Sequence, residues 1–284
     1  MKRLKLALAK GRLYDEVAKL LEDCELGVCK RKRSYRPYVA DDELEIKLVK
    51  PQNIPKLVEY GSQDLAFTGN DMVIEQEADV VELLDINQNP VRIVAAIPKD
   101  KDVDELKKQR VRVASEYENL SRRYLDKKGF KYDFIKSYGA TESFVPEDAD
   151  MIIENTSTGE TLKENNLKIV DEILSSSTRI IANREALKDP WKKKKIDDLI
   201  MLFKSVLEAR KRVLVEMNVS KELIDDIIPI LPCMRSPTVA KLYGDEGYAV
   251  RIAVEKKLIP KLIPQLKDKG VTDILVLRLK KVIE

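Results

Sequence analysis

Short apolar segments alternate with amphipathic segments through the first hundred residues of the chain. The segments 4–9 (LKLALA), 44–49 (LEIKLV) and 64–68 (DLAFT) have the composition of buried strands. Between the first two, apolar side chains recur at helical spacing from Leu13 to Cys24. This repeated order of strand and helix predicts an α/β fold in which helices cover a layered sheet.

A second α/β segment begins near Val91. Its strands are predicted at 110–115 (RVRVAS), 132–139 (YDFIKSYG) and 148–154 (DADMIIE). Two later strands, LKIVDEIL and TRIIANRE, are expected to return toward the first sheet. We therefore expect two α/β domains of periplasmic-binding-protein-like type that form a cleft. Their predicted bounds are residues 1–90 with 180–210 for domain I and residues 91–179 for domain II.

The pattern changes after the long amphipathic segment 197–212. From there the order is strand, helix, strand, strand, helix, strand, which is that of a ferredoxin-like unit. We place this third, ACT-like domain at residues 211–284.

Composition limits the chemistry, because the 284 residues include no His at all. Ser-His and Cys-His nucleophile pairs, His general bases and most zinc sites are thereby excluded. Lys and Arg number 52 against 49 acidic residues, a formal charge of +3 that argues against a general nucleic-acid binder. The opening segment is too charged for a signal peptide or a spanning helix, so we expect a cytoplasmic protein without a membrane partner.

A turn rich in hydroxyls follows the strand that ends at Glu154. It contains Thr156, Ser157, Thr158, Gly159, Glu160 and Thr161. Such a turn, at the carboxyl end of a strand and before a helix, offers hydroxyl and backbone N–H donors for a phosphate. Spacing alone leaves an alternative open, in which Thr158 or Thr161 is an ordinary helix N-cap.

The turn, quoted as ENTSTGETL, resembles the phosphoribosyl-pyrophosphate loop of the ATP phosphoribosyltransferase family. Three further stretches resemble that family in the same order: LALAKGRLYDEV, KPQNIPKLVEYGSQDLAFTGNDMVIE and LPCMRSPTV. The chain departs from the family pattern with Glu154 for Asp, Thr156 for Val, Lys50 for Arg and Cys233 for Gly. Together the four stretches span nearly the whole chain.

The resemblance implies an enzyme of histidine biosynthesis that joins ATP to phosphoribosyl pyrophosphate and releases pyrophosphate. It implies catalytic roles for Glu154, Lys10 and Arg12, and a phosphoribosyl-pyrophosphate site at Glu154 and the loop 156–161. It assigns ATP binding to residues on both domains: Arg12, Lys50, Thr68, Gly69, Asp71 and Arg92. Mg²⁺ is implied as the cofactor, carried by the pyrophosphate rather than by a dedicated set of protein ligands.

The ferredoxin-like unit implies the long form of the family, in which free histidine is a feedback inhibitor. Its predicted contacts are Met234, Ser236 and Thr238, although Pro237 could instead merely begin an edge strand there. The resemblance also implies a homo-oligomer, a hexamer in exchange with dimers. The alternative function is a non-catalytic protein of the same fold that binds or senses a small molecule or an amino acid.

Overall fold

The computed structural model describes residues 2–29 and 34–283. Two compact units divide it: Met1–Glu22 with Leu26–Ile196, and Asp23–Glu25 with Asp197–Glu284. The strands are β1 (Leu4–Ala9), β2 (Leu44–Val49), β3 (Leu65–Gly69), β4 (Val81–Asp85), β5 (Val91–Pro98), β6 (Arg110–Ser115), β7 (Lys131–Lys136), β8 (Met151–Thr156), β9 (Leu167–Ser176), β10 (Thr178–Ala182), β11 (Arg212–Val219), β12 (Thr238–Lys241), β13 (Tyr248–Glu255) and β14 (Thr272–Arg278). The α-helices are α1 (Arg12–Asp23), α2 (Ile54–Glu59), α3 (Asn70–Glu75), α4 (Val103–Leu106), α5 (Glu118–Lys128), α6 (Glu160–Glu164), α7 (Pro190–Lys211), α8 (Ile224–Ile227) and α9 (Ile259–Asp268).

The first sheet has the order β2-β1-β3-β10-β4. Strands β2, β1 and β3 are parallel, so their carboxyl ends meet at one edge of the sheet. Strand β10 runs antiparallel to both β3 and β4. The parallel strands are almost continuously apolar and buried, as is usual where both faces of a sheet are covered. We call this sheet with helices α1–α3 the first lobe.

The second sheet has the order β7-β6-β8-β5-β9. Its strands β7, β6 and β8 are parallel, and β5 and β9 are antiparallel to their neighbours. We call this sheet with helices α4–α6 the second lobe. The two sheets form the predicted pair of periplasmic-binding-protein-like domains, which confirms the α/β architecture.

Only one of the two strands that were expected to return does so. Strand β10 re-enters the first sheet, whereas β9 pairs with β5 along eight residues and forms an edge of the second sheet. The expectation for β9 was wrong because an apolar strand pattern carries no information on which neighbour it pairs with.

The third sheet, in the second compact unit, is fully antiparallel with the order β12-β13-β11-β14. Alternate side chains of β11, from Val213 to Val219, are buried in a core shared with Leu262 and Leu266 of α9. The order of elements and the order of strands together confirm the ferredoxin-like prediction. Among the described residues, no helix is long and apolar enough to cross a membrane.

Candidate active site

Polar residues from both lobes meet just beyond the carboxyl ends of the parallel strands. Strand β3 runs into α3, which carries Asp71, and β6 is followed by Tyr117. The Tyr117 hydroxyl donates a hydrogen bond to Asp71 Oδ2 at 2.9 Å. This edge of an open α/β sheet is where ligands usually bind. The two lobes therefore share one candidate site.

Asp71 is held by the protein on both carboxylate oxygens. Besides Tyr117 on Oδ2, the hydroxyl of Ser176 donates to Oδ1 at 2.7 Å, and the Asp71 backbone N–H donates to the same hydroxyl at 2.9 Å. Only 6% of the residue is exposed. The sequence predicts that Asp71 binds ATP. In this structure its carboxylate links the two lobes through hydrogen bonds beside the cleft.

Glu154 lies half-buried near the end of β8. The backbone N–H of Asn155 donates to its Oε1 at 2.8 Å, and the Asn155 side-chain amide donates to the same oxygen at 2.7 Å. Burial raises the pKa of Glu154, as do the nearby carboxylates of Glu116 and Glu142, while hydrogen bonds from Thr141 and the Asn155 backbone lower it. The structure thus keeps a carboxyl group at a strand end where its charged form is disfavoured.

The hydroxyl-rich turn folds back on itself through its own side chains. Thr156 Oγ1 accepts a hydrogen bond from the Gly159 N–H at 2.9 Å, and Thr158 Oγ1 accepts from the Glu160 N–H at 3.3 Å. Gly159 has φ of 83°, a left-handed conformation that favours glycine. Gly159 is also the N-cap of α6, so neither Thr158 nor Thr161 is in the N-cap position. Most of the loop is exposed: Ser157, Thr158, Glu160 and Thr161.

The basic residues of the first lobe lie at the ends of β1 and β2. The Lys10 N–H donates to the Val49 carbonyl at 2.8 Å, which joins the two strand ends, and the Lys10 ammonium lies 3.4 Å from the ring centroid of Tyr35. Lys50 follows β2 and is exposed. Arg12 begins α1, and its side chain lies outside the described ones.

Thr68 and Gly69 end strand β3 and are both buried. Thr68 has no exposed surface, and its hydroxyl has no hydrogen-bond partner among the described residues. Both were predicted to bind ATP. In this conformation Thr68 offers no accessible surface to a ligand.

Arg92 lies opposite Thr156 in the antiparallel pairing of β5 with β8. Directly opposed residues project from the same face of a sheet, so Arg92 neighbours the hydroxyl-rich turn. Its guanidinium is 3.4 Å from Glu172 Oε2, and both side chains are about half exposed. This pair is exposed enough for a competing anion to displace the carboxylate at small cost.

Tyr117, Asn155 and Ser176 are site residues that the sequence alone does not indicate. Each is linked to Asp71, directly or through Tyr117, across sequence separations of 38 to 105 residues. No local spacing rule covers such separations. For two of these residues, position in the fold is a signal: Asn155 lies near the end of β8, and Tyr117 follows β6, which is parallel to β8.

The second compact unit contains a separate open pocket of about 490 Å³. Its lining includes the three residues predicted to contact histidine, namely Met234, Ser236 and Thr238. It also includes three arginines, Arg212, Arg235 and Arg251. Arg212 pairs with Glu208 at 2.6 Å and Arg251 with Glu216 at 3.0 Å. The thiol of Cys233 donates to the Arg235 carbonyl at 2.7 Å, which fixes the turn where the family pattern has Gly.

Comparison with known proteins identifies the chain. The family model described as ATP phosphoribosyltransferase matches residues 50–205, and the model for the C-terminal domain of HisG matches residues 209–281. The chain belongs to the ATP phosphoribosyltransferase family. An ATP phosphoribosyltransferase of Thermodesulfovibrio yellowstonii is 38% identical over 290 residues, with 99% of each chain covered. One of Desulforudis audaxviator is 40% identical over 287 residues, again with 99% of each covered.

A solved structure of the ATP phosphoribosyltransferase HisG:HisZ complex of Thermotoga maritima has a TM-score of 0.65 at 30% identity. The match covers 98% of that chain but 72% of this one. Family membership makes the present chain a pentosyltransferase of histidine biosynthesis, and it disfavours the alternative of a non-catalytic binding protein. The second family model agrees with the long form, whose C-terminal domain is part of the chain.

Proposed function

We propose that the cleft between the lobes joins ATP to phosphoribosyl pyrophosphate. The N1 atom of adenine attacks the anomeric carbon of the ribose with inversion, the bond to pyrophosphate breaks, and phosphoribosyl-ATP and pyrophosphate are formed. The observation that carries the proposal is the contact between Tyr117 and Asp71, because it brings the loop after β8 and the strand ends of the first lobe to one place. This reaction depends on alignment and on neutralising the leaving group, so a chain without His can perform it.

The loop 156–161 is the proposed cradle of the ribose 5′-phosphate. Its exposed hydroxyls are the proposed donors, and a phosphate is an acceptor with several oxygens. The backbone N–H groups of Gly159 and Glu160 are already bonded to the hydroxyls of Thr156 and Thr158. The internal bonds of Thr156 and Thr158 preshape the loop, so less conformational entropy is lost when the phosphate binds.

Glu154 is the proposed acceptor for the ribose hydroxyls. Its carboxylate is already oriented by two N–H groups of Asn155 on one oxygen. The carboxylate also accepts a hydrogen bond from Thr141, and its remaining lone pairs are proposed to accept from the vicinal ribose hydroxyls. Orienting the sugar in this way also directs its anomeric carbon toward the nucleophile.

Residues of the first lobe are proposed to hold ATP and the departing pyrophosphate. Lys10, Arg12 and Lys50 supply positive charge at the ends of β1 and β2, and Arg92 adds charge beside the loop. Thr68, Gly69 and Asp71 shape the end of β3. Of these three, Asp71 acts by holding the lobes together, since both of its oxygens have protein partners.

Mg²⁺ is the proposed cofactor, and when bound with pyrophosphate it would neutralise the charge of that leaving group. The described residues contain no group of three or more Cys, Asp or Glu that could hold a metal ion. Glu116 and Glu142, whose charges act on Glu154, are hard oxygen donors of the kind Mg²⁺ prefers. They fit an ion that is held mainly by phosphate oxygens and water, with one or two carboxylates.

The pocket in the second unit is the proposed site for histidine as a feedback inhibitor. Guanidinium groups suit the carboxylate of an amino acid, and the hydroxyls of Ser236 and Thr238 suit its ammonium group.

We also retain as proposals a homo-oligomer, a hexamer in exchange with dimers, a cytoplasmic location, and three domains at 1–90 with 180–210, 91–179 and 211–284. The three separate sheets support that division.

The test is turnover, followed by the absorbance rise on formation of phosphoribosyl-ATP from ATP, phosphoribosyl pyrophosphate and Mg²⁺. Added pyrophosphatase removes one product and draws the reaction forward. We expect turnover by the full chain and its suppression by free histidine. Turnover that histidine leaves unchanged would remove the regulatory proposal, and no turnover from the folded protein would remove the catalytic one.

A further inference from the structure

A continuous series of hydrogen bonds connects the two lobes and ends on Glu154. Asp71 receives bonds from Ser176 at 2.7 Å and from the Tyr117 hydroxyl at 2.9 Å. The side-chain amide of Asn155 donates to the Tyr117 oxygen at 3.1 Å and to Glu154 Oε1 at 2.7 Å. Tyr117 is therefore the one side chain in this series that bonds to both lobes.

The direction of each bond in the series is determined. An ionised carboxylate can only accept, so the Tyr117 hydroxyl must donate to Asp71 and can only accept from Asn155. Burial and the charge of Asp71 raise the pKa of Tyr117, which keeps the hydroxyl protonated. With one amide hydrogen of Asn155 directed to Tyr117, the other is directed to Glu154. The orientation of the Asn155 amide is thus set by the other lobe.

A second set of hydrogen bonds between the lobes supports this series. Glu75, at the end of α3 in the first lobe, accepts from the backbone N–H groups of Asn119 and Leu120 at 3.1 and 3.0 Å. These are first-turn N–H groups of α5, and Tyr117, its N-cap residue, makes no side-chain cap. A helix of the second lobe is therefore capped by a carboxylate of the first lobe, which holds Tyr117 in place.

We propose that Tyr117 is a positioning residue that sets the orientation of the Glu154 carboxylate for the ribose of phosphoribosyl pyrophosphate. It acts through Asn155 and is itself fixed by Asp71. This assignment rests on the proposed role of Glu154. Because only 2% of Tyr117 is exposed, its hydroxyl acts on the sugar through Asn155 and Glu154.

The test compares Tyr117→Phe with Tyr124→Phe in the full chain. Tyr124 is a matched control because it lies on α5, is 8% exposed, and donates to the carboxylate of Asp171 at 3.2 Å, outside the series. Calorimetry gives the dissociation constant for phosphoribosyl pyrophosphate with Mg²⁺, and initial rates give KM for ATP. Asn155→Ala breaks the series from an exposed position and is a second variant whose folding does not depend on a buried side chain.

We expect Tyr117→Phe and Asn155→Ala each to weaken binding of phosphoribosyl pyrophosphate by about tenfold, since each loses a hydrogen bond that orients a charged group. KM for ATP should change less than about twofold, and Tyr124→Phe should change neither constant. In the double variant with Glu154→Gln, Tyr117→Phe should add no further loss, because its effect passes through Glu154.

Three results would overturn the assignment. They are wild-type affinity in Tyr117→Phe, an equal loss in Tyr124→Phe, or losses that add in the double variant. A different result concerns the proposed function itself: if Glu154→Gln binds phosphoribosyl pyrophosphate as tightly as the wild type does, Glu154 is not the ribose ligand.

Discussion

Gly69 lies so close to Asp71 that a Cβ atom at position 69 would overlap the Asp71 Oδ1 atom. Gly69 itself has φ of −72° and ψ of 142°, an ordinary extended conformation. Glycine is thus required here by space and not by backbone conformation. The carboxylate cannot move aside freely, because Ser176 and Tyr117 hold its two oxygens.

Gly69→Ala is therefore expected to displace Asp71 and break its bonds to the second lobe. We predict a loss of about 1–3 kcal/mol in the free energy of unfolding and weaker binding of phosphoribosyl pyrophosphate. Denaturant unfolding and calorimetry measure the two effects. Asp71→Asn keeps the space and removes the charge, so it should lose less stability; equal stability of Gly69→Ala and the wild type would refute the overlap.

Glu154→Gln should stabilise the free protein increasingly as pH rises. Because the folded-state pKa of Glu154 is raised, the folded protein binds this proton more tightly than the unfolded chain does. Its contribution to stability is therefore lost as pH rises above the ordinary Glu value, and Gln avoids that loss. The measurement is the difference in unfolding free energy between variant and wild type from about pH 4 to about pH 7.

The matched control for that measurement is Glu164→Gln, at an exposed position at the end of α6. It should show no comparable rise with pH. A difference for Glu154→Gln that stays constant, or that falls as pH rises, would contradict the burial of this carboxyl group.

Glu75→Gln should weaken the attachment of α5 to the first lobe. The charged carboxylate that accepts from two backbone N–H groups at the helix N-terminus becomes a neutral amide. We expect a loss of about 1–2 kcal/mol in the free energy of unfolding. Glu77→Gln is the control: Glu77 also pairs with α5, at 3.5 Å from Arg123, but both side chains are exposed and the loss should stay below about 1 kcal/mol. Equal losses of unfolding free energy in the two variants would show that the buried contact of Glu75 with α5 stabilises the protein no more than the exposed ion pair of Glu77 does.

Thr68→Val should stabilise the protein by about 1 kcal/mol, since it removes a buried hydroxyl that has no partner among the described residues. Thr141→Val provides the contrast. Thr141 is equally buried, but its hydroxyl pairs with Ser137 at 2.8 Å and also bonds to Glu154, so its loss should destabilise. Thermal unfolding of the two variants should therefore shift in opposite directions, and a lower melting temperature for Thr68→Val would show that its hydroxyl has a partner.

Most strands were predictable because buried runs of Leu, Ile, Val and Ala carry their own signal. The segments 4–9 and 44–49 are strands over the predicted residues. Which strands pair with one another was less predictable: β9 pairs with β5 in the second sheet and does not return to the first. The run Lys192–Lys195 has the composition of a solvated helix face, yet Lys192 pairs with buried Asp64 and Lys195 pairs with Asp41 and Glu43.

The loop of the site was predictable, whereas its support was not. The residues from Glu154 to Thr161 are consecutive, so their chemistry is visible in one stretch of sequence. Tyr117, Ser176 and Glu75 act through contacts with residues far away in the sequence. The sequence immediately around each of them looks like the end of an ordinary helix or strand. Such contacts follow from the topology of the two sheets and become visible only with it.

Amide hydrogen exchange can show whether the loop 156–161 holds the phosphate of phosphoribosyl pyrophosphate. Exchange would be measured by mass spectrometry for the full chain alone, with Mg²⁺ and phosphoribosyl pyrophosphate, and with Mg²⁺ and inorganic phosphate. We expect strong protection of the loop amides by phosphoribosyl pyrophosphate, little protection by inorganic phosphate, and reduced protection in Glu154→Gln. Unchanged exchange in the loop at saturating phosphoribosyl pyrophosphate would contradict it.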